Sequence, residues 1–148
     1  MSNDSSNAVS NVREAKGSCL CSAVQFTVKK MDHDVGACHC EMCRKWGGGP
    51  LLAVDCGDEV EFKSGQAISV FDSSEWADRG FCNECGTHLF WRLKQTQQHI
   101  MPVGLFEETQ GLVLDHEVFI DEKPSFYSFA EQTKAMTGEE VFAMFSGE

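Results

Sequence analysis

The sequence predicts a mainly β fold made of many short strands, with one short helix near its C-terminal end. Short apolar segments alternate with polar residues, as in half-buried strands, and glycines such as Gly57 and Gly65 separate them. A helical pattern occurs near the end of the chain. The length of 148 residues suits one domain with a core of its own.

The individual strands are predicted from alternation and from the turn residues between them. Val24, Phe26 and Val28 alternate with polar residues and indicate the first strand. Further strands are predicted at about residues 34–38, 51–55, 59–63, 67–72, 86–93, 98–103 and 115–120. The segment Thr137-Gly-Glu-Glu140 resembles a capping box, which predicts the start of the helix.

The N-terminal segment differs in composition from the rest of the chain. Residues 1–16 are rich in serine and asparagine and are predicted to be a disordered tail, followed by a single domain over residues 17–148. Residues 1–10 lack the basic start and apolar core of a secretory signal. We therefore expect a cytoplasmic protein, in which clustered cysteines indicate metal binding or catalysis rather than disulfides.

The charge of the chain and the length of its apolar stretches each exclude one class of partner. The formal net charge is −11, from 12 Lys and Arg against 23 Asp and Glu, and the basic residues form no cluster. Such a surface repels the phosphates of nucleic acids. No apolar stretch approaches the length of about 20 residues that spans a bilayer. Neither nucleic acid nor a membrane is therefore an expected partner.

The cysteines fall into clusters that suit zinc, which prefers four ligands in a tetrahedron. The clusters are C-x-C at Cys19 and Cys21, C-x-C-x-x-C at Cys38, Cys40 and Cys43, and C-x-x-C at Cys82 and Cys85. Cysteines two or three positions apart in a tight turn can place two sulfurs around one ion. The first and last clusters together predict a closed, structural four-thiolate site. The middle cluster supplies three sulfurs and predicts a second zinc with an open position, as is usual for catalysis.

Other residues could change this assignment. Cys56 or a histidine such as His39 could complete the second site and close it. His39 lies between two predicted ligands, and adjacent ligands are sterically awkward, while Cys56 fits a small buried apolar residue. For His88 and His99, which lie in strand-like segments, we expect packing or surface roles.

Three segments of the sequence carry a specific resemblance. They are Gly17-Ser-Cys19-Leu-Cys21, Cys38-His-Cys40-Glu-Met-Cys43-Arg-Lys45 and Phe81-Cys82-Asn-Glu-Cys85-Gly-Thr87. Their order, spacing and flanking residues resemble the glutathione-dependent formaldehyde-activating enzyme family, which includes centromere protein V, over roughly residues 16–129. The resemblance implies several small twisted antiparallel β-sheets arranged around zinc. It also implies a structural zinc on the first and last clusters and a catalytic zinc on Cys38, Cys40 and Cys43.

The chain departs from the family pattern at three places. Ser22 stands where the family usually has glycine. The segment Gly104-Leu-Phe-Glu107 replaces a Gly-Thr/Ser-apolar-Asp pattern, and Phe126 or Tyr127 stands where tryptophan is common. All three departures leave the predicted zinc ligands intact, and the last two affect the region where substrate would bind.

The implied activity is the formation or cleavage of S-(hydroxymethyl)glutathione from glutathione and formaldehyde. Thiolate ligands make the centre electron-rich, which favours a thiol attacking an aldehyde over hydrolysis by zinc hydroxide. Arg44 and Lys45 follow the third ligand and are candidate contacts for a carboxylate of glutathione, although solvated side chains are the simpler interpretation.

Two other functions compete with a zinc-dependent carbon–sulfur lyase. In a binding module, zinc would only hold the fold, and the protein would carry glutathione or dock another protein. In a redox or metal-storage protein, the C-x-x-C cysteines would oxidise readily and hold metal loosely. The expected partners of the lyase are a small thiol such as glutathione and a small aldehyde.

Overall fold

Two compact units make up the chain in this computed structural model, which describes residues 12–145. The first unit contains the chain up to His33 and Val54–Leu112, and the second contains Asp34–Ala53 and the chain from Val113 onward. In chain order, the elements are β1 (Val12–Ser18), β2 (Gln25–Asp32), β3 (Asp34–Cys38), α1 (Glu41–Gly47), β4 (Leu51–Asp55), β5 (Val60–Phe62), β6 (Ile68–Phe71), β7 (Ala77–Cys82), β8 (His88–Leu93), β9 (His99–Pro102), β10 (Val113–Val118), β11 (Lys134–Met136) and α2 (Gly138–Phe145).

The first unit consists of antiparallel strands. Strands β1, β2 and β5 pair in that order, and β9, β8, β7 and β6 pair in that order. Phe26 and Val28 are buried while their neighbours in β2 are more exposed, so the alternation seen in the sequence is the alternation of the two faces of a strand. The core of this unit also contains Met31, Leu89 and Phe90.

The second unit contains parallel strands, which differs from the antiparallel sheets that the resemblance implies. Strand β10 pairs in parallel with β3 on one side and with β11 on the other. Because β3 and β10 are distant in sequence, no hairpin forces them to run in opposite directions. The mainly β class is confirmed. No helix in residues 12–145 has the length and apolar character needed to cross a membrane.

The N-terminal strand begins earlier than the sequence predicts. Residues 12–16, expected in the tail, belong to β1, because their backbone pairs with β2. Residues 1–11 of the predicted tail lie outside the described part of the chain. The expectation that residues 17–148 form one zinc-binding domain stays a prediction.

The two helices are capped in different ways. The predicted capping box of α2 is confirmed: Thr137 Oγ1 accepts the Glu140 N–H at 3.2 Å, and Glu140 Oε1 accepts the Thr137 N–H at 2.8 Å. Helix α1 was not predicted. Its N-cap is Cys40, whose sulfur accepts the Cys43 N–H at 3.3 Å, and Gly48 ends it in the left-handed conformation with φ 94°.

Candidate functional site

A cluster of four thiols lies in the first unit. It joins Cys19 and Cys21, which follow β1, to Cys82 and Cys85 at the turn from β7 to β8. All four sulfurs lie within 4.8 Å of one another. The Cys21 sulfur lies 3.7 Å from that of Cys19 and 3.8 Å from that of Cys82. A tetrahedron with Zn–S bonds of about 2.3 Å has edges of about 3.8 Å, so this cluster fits a zinc ion.

The backbone around these thiols also suits metal binding. The Val24 N–H donates to the Cys19 sulfur at 3.3 Å, and the Glu84 N–H donates to the Cys82 sulfur at 3.4 Å. The residue after each cysteine pair has a positive φ, in the left-handed region of backbone conformation: 83° at Gly86 and 68° at Ser22. Ser22 stands where the family usually has glycine. Its positive φ explains that preference, because the left-handed conformation costs a residue that has a side chain about 1 kcal/mol of stability.

The surroundings of these thiols shift the pKa values of Cys85 and Cys21 in opposite directions. The hydrogen bond with the Thr87 hydroxyl lowers the pKa of Cys85 to about 5. The Ala23 N–H acts to lower the pKa of Cys21, but desolvation and the hydrogen bonds with Cys85, Cys19 and Cys82 outweigh it and raise that pKa to about 12. Four thiols at these distances cannot all ionise without a cation, and binding of a divalent ion would release the remaining protons.

The Thr87 hydroxyl links the two halves of the four-thiol cluster. It accepts the N–H of Leu20, between the first two cysteines, at 3.0 Å, and it forms a hydrogen bond with the Cys85 sulfur at 3.0 Å. Hydrogen-bond partners of metal ligands orient those ligands, and their loss typically lowers metal affinity about 10- to 100-fold. Thr87 therefore fixes the position of one cysteine pair relative to the other.

Replacing Thr87 by valine is expected to weaken zinc binding at this cluster by about tenfold or more. The measurement is competition for zinc with a chromogenic chelator. Thr87→Ser keeps the hydroxyl and should behave as the wild type, and Thr27→Val in β2 controls for loss of an unrelated hydroxyl. Equal zinc affinity in Thr87→Val and wild type would contradict the assigned role.

A second cluster of three thiols lies in the second unit. Cys38 ends β3, Cys40 caps α1, and Cys43 lies in the first turn of that helix. Their sulfurs lie within 4.8 Å of one another, and no fourth cysteine, histidine or carboxylate joins them in residues 12–145. Hydrogen bonds with Cys40 and Cys43, together with burial, raise the pKa of the Cys38 thiol. The donor set fits a divalent ion with three protein ligands.

The alternative ligands considered from the sequence lie elsewhere or are engaged. The Cys56 side chain is buried in the first unit, its thiol donates to the Val54 carbonyl at 3.7 Å, and burial raises its pKa. His39 has both ring nitrogens in hydrogen bonds: Nε2 lies 2.7 Å from Glu117 Oε1, and Nδ1 lies 2.8 Å from the Tyr127 hydroxyl. Neither residue belongs to the three-thiol cluster.

The two basic residues after Cys43 differ in their surroundings. Arg44 is half-buried, and its Nε–H donates to the His39 carbonyl at 2.9 Å, which anchors the guanidinium beside the cluster. The Lys45 side chain is 79% exposed and its ammonium lies 3.8 Å from Glu41, an exposed pair of the kind that contributes little to stability. Arg44 is therefore the better placed of the two for a ligand.

Sequence reasoning did not find Glu117 as a residue of this region, and it noted Tyr127 only as an aromatic. Glu117 lies in β10, and Tyr127 lies in the segment that follows it. No spacing relates either residue to His39, 78 and 88 positions away. The only available signal was the aromatic pair Phe126 and Tyr127 where the family often has tryptophan.

Comparison with known proteins agrees with the geometry. A protein of Schizosaccharomyces pombe (strain 972 / ATCC 24843), named an uncharacterized lyase, is 32% identical over 129 residues, which cover 86% of this chain and 94% of that protein. A crystal structure of a Rhodobacter sphaeroides protein matches with a TM-score of 0.54 and 22% identity, over 62% of this chain and 87% of that one, and shows the same fold. Residues 14–122 match the family described as glutathione-dependent formaldehyde-activating enzyme. The chain therefore belongs to the glutathione-dependent formaldehyde-activating enzyme family.

Proposed function

We propose that the protein is a zinc-dependent carbon–sulfur lyase that forms and cleaves thiol–aldehyde adducts such as S-(hydroxymethyl)glutathione. The observation that carries the proposal is the three-thiol cluster Cys38, Cys40 and Cys43, which no fourth ligand joins in residues 12–145. A zinc ion with three protein ligands leaves one position for substrate. The family and the fission-yeast relative named a lyase support an enzyme of the lyase kind that handles glutathione and formaldehyde.

The reaction needs no oxidant or reductant. In the direction of synthesis, the thiol gives up its S–H proton, the sulfur electron pair forms the C–S bond, and the carbonyl π pair moves to the oxygen, which takes up a proton. Cleavage is the reverse. Zinc held by Cys38, Cys40 and Cys43 would supply stabilisation of the substrate thiolate.

Arg44 is proposed to bind a carboxylate of the thiol substrate, with Lys45 as an outer contact. A guanidinium has five N–H donors in a fixed plane, and the bond from Nε to the His39 carbonyl uses one of them. The remaining donors match the geometry of a carboxylate. Glutathione carries two carboxylates, which is consistent with this role.

The four-thiol cluster is proposed to hold a structural zinc. It offers four sulfur ligands within 4.8 Å of one another, so an ion bound by all four would have no position for substrate. Each chain would then bind one zinc in each cluster. Since thiol ligands and a thiol substrate both require reducing conditions, we also propose a cytoplasmic location.

The test is magnetisation-exchange NMR of glutathione with formaldehyde, with and without zinc-loaded protein. We expect the exchange rate to rise in proportion to protein concentration, above the uncatalysed rate. Cys40→Ser is the matched variant, because serine is a good N-cap and should preserve α1 while removing a metal ligand. It should lose the acceleration and retain the zinc of the four-thiol cluster.

The outcome separates the lyase from a binding module. If the protein with both clusters loaded leaves the exchange rate unchanged, the lyase proposal fails. Glutathione binding measured by calorimetry on the same sample would then favour a carrier, and its absence would direct attention to a protein partner.

A further inference from the structure

A buried polar network lies directly beside the three-thiol cluster. His39 is 0% exposed and lies between Cys38 and Cys40 in the chain. One of its ring nitrogens bonds to Glu117 and the other to the Tyr127 hydroxyl, so Tyr127 is joined to Glu117 through the imidazole. Buried polar groups are costly unless they are hydrogen-bonded, and this network satisfies both nitrogens of the ring.

Glu117 anchors the network, because it lies in a strand that is paired with β3. It lies in β10, opposite Ala37 of β3 in parallel register, one position before the residue that faces Cys38. Burial acts to raise the pKa of the Glu117 carboxyl, but the hydrogen bonds from Thr133 and His39 hold it below its ordinary value. The carboxylate is therefore ionised at neutral pH and fixes the orientation of the His39 ring.

The segment that carries Tyr127 is held by its own hydrogen bonds, and the residues just before it bond to the start of α1. The Lys123 ammonium donates to the carbonyls of Pro124 and Tyr127 and to the Ser128 hydroxyl, which closes the loop on itself. Just before this loop, Glu122 Oε1 accepts the N–H of Glu41, the first residue of α1, at 2.8 Å. These bonds and the bond from its hydroxyl to His39 hold Tyr127 beside the residue that precedes Cys40, the N-cap of α1.

Tyr127 lies within electrostatic reach of both the cluster and Arg44. Burial raises the pKa of its hydroxyl; the Arg44 charge acts to lower it, and the charges of Glu117 and Cys38 act to raise it. The hydroxyl therefore stays protonated at neutral pH. A hydroxyl has one donor and two acceptor positions, and the bond to His39 uses one of them, which leaves hydrogen-bonding capacity for a ligand.

We propose that Tyr127 is the residue that recognises the hydroxyl of the thiol–aldehyde adduct at the three-thiol cluster, with His39, Glu117 and Thr133 as positioning residues. The identity of the ligand rests on the proposed lyase function. The preferred ligand class is a hemithioacetal, because its hydroxyl can both donate and accept, whereas a free thiol brings no oxygen to this position.

The sequence itself provides a selective probe, because Tyr127 is its only tyrosine. Tyrosine labelled with ¹³C at the ζ carbon gives a single NMR signal, which reports the hydrogen bonding of this hydroxyl. Zinc-loaded protein is titrated with glutathione alone, with formaldehyde alone and with both. We expect the signal to move with the mixture by clearly more than with either component.

The matched variant is Tyr127→Phe, which removes only the hydroxyl. It should bind glutathione as the wild type does, and its affinity for the adduct should fall about tenfold. Its zinc content and melting temperature should show that the fold is kept. Phe71→Ala, at an aromatic side chain of the first unit that is 62% exposed, is the control and should leave adduct affinity unchanged.

Failure of this inference and failure of the lyase proposal are distinguishable. If exchange is accelerated but the ζ-carbon signal follows glutathione alone and Tyr127→Phe retains adduct affinity, the role of Tyr127 is overturned and the lyase stands. If the signal moves with the mixture and the variant loses adduct affinity, the role of Tyr127 stands even where exchange is not accelerated.

Discussion

Cys82→Ser is expected to remove one zinc ion per chain and to unfold the first unit at physiological temperature. Cys82 is fully buried at the end of β7, and its sulfur lies 3.8 Å from that of Cys21, 61 positions earlier in the chain. Structural zinc sites contribute about 10–16 kcal/mol in small zinc domains, and the loss of a ligand forfeits much of this. The melting temperature should fall by about 15 °C or more, measured by circular dichroism beside the zinc content.

The control for this change is Cys56→Ala. Cys56 is as buried as Cys82, but its sulfur belongs to no cluster of ligand atoms within residues 12–145. The loss of its sulfur should cost about 1 kcal/mol and leave the zinc content unchanged. Wild-type zinc content and melting in Cys82→Ser would contradict a structural zinc on the four thiols.

Gly17→Ala is expected to destabilise the same unit by about 3 kcal/mol. A Cβ at this position would lie 2.4 Å from the Leu105 carbonyl oxygen and 2.6 Å from the Phe26 ring. Gly17 also forms a β-bridge with Phe106, and the Glu107 N–H donates to the Lys16 carbonyl at 3.0 Å. Backbone lies on both sides of the contact, so the added methyl group cannot be accommodated by rotation of a side chain.

Urea unfolding measures the loss of stability. Competition with a chelator should show weaker zinc binding at the four-thiol cluster, since Gly17 lies two residues before Cys19. Gly65→Ala is the control, because no atom lies within 4 Å of its added Cβ. It should be neutral or slightly stabilising. Equal stability of Gly17→Ala and Gly65→Ala would show that β1 can move away from the segment around Leu105.

The close approach at Gly17 also explains one departure from the family pattern. The segment Gly104-Leu-Phe-Glu107 packs in the first unit: Leu105 and Phe106 are buried, and the Phe106 ring meets the Phe26 ring edge to face at 5.5 Å. The substitutions in this segment therefore alter packing against β1 and β2. The sequence pattern alone suggested an effect on substrate binding, because it shows identity but not burial.

Local features could be predicted because their causes lie within a few residues. The strands β3 and β4 match the predicted segments 34–38 and 51–55, and the capping box at Thr137 depends only on Glu140, three residues later. Helix α1 escaped prediction because it has only seven residues and a thiol as its N-cap, which is not among the usual capping groups. The parallel pairing of β3 with β10 also escaped, since register depends on contacts distant in sequence.

The sequence by itself determined that the cysteines within each cluster can share an ion, because residues two or three positions apart in a turn can bring their sulfurs close together. Folding brought the first and last clusters together, across 61 positions between Cys21 and Cys82. Only the tertiary structure decided what surrounds them. It placed Thr87 between the two halves of the four-thiol cluster and joined His39 to Glu117 and Tyr127 beside the three-thiol cluster. Ligand spacing is a property of the covalent chain, whereas hydrogen bonds to those ligands and their neighbours depend on strands and loops that meet only after folding.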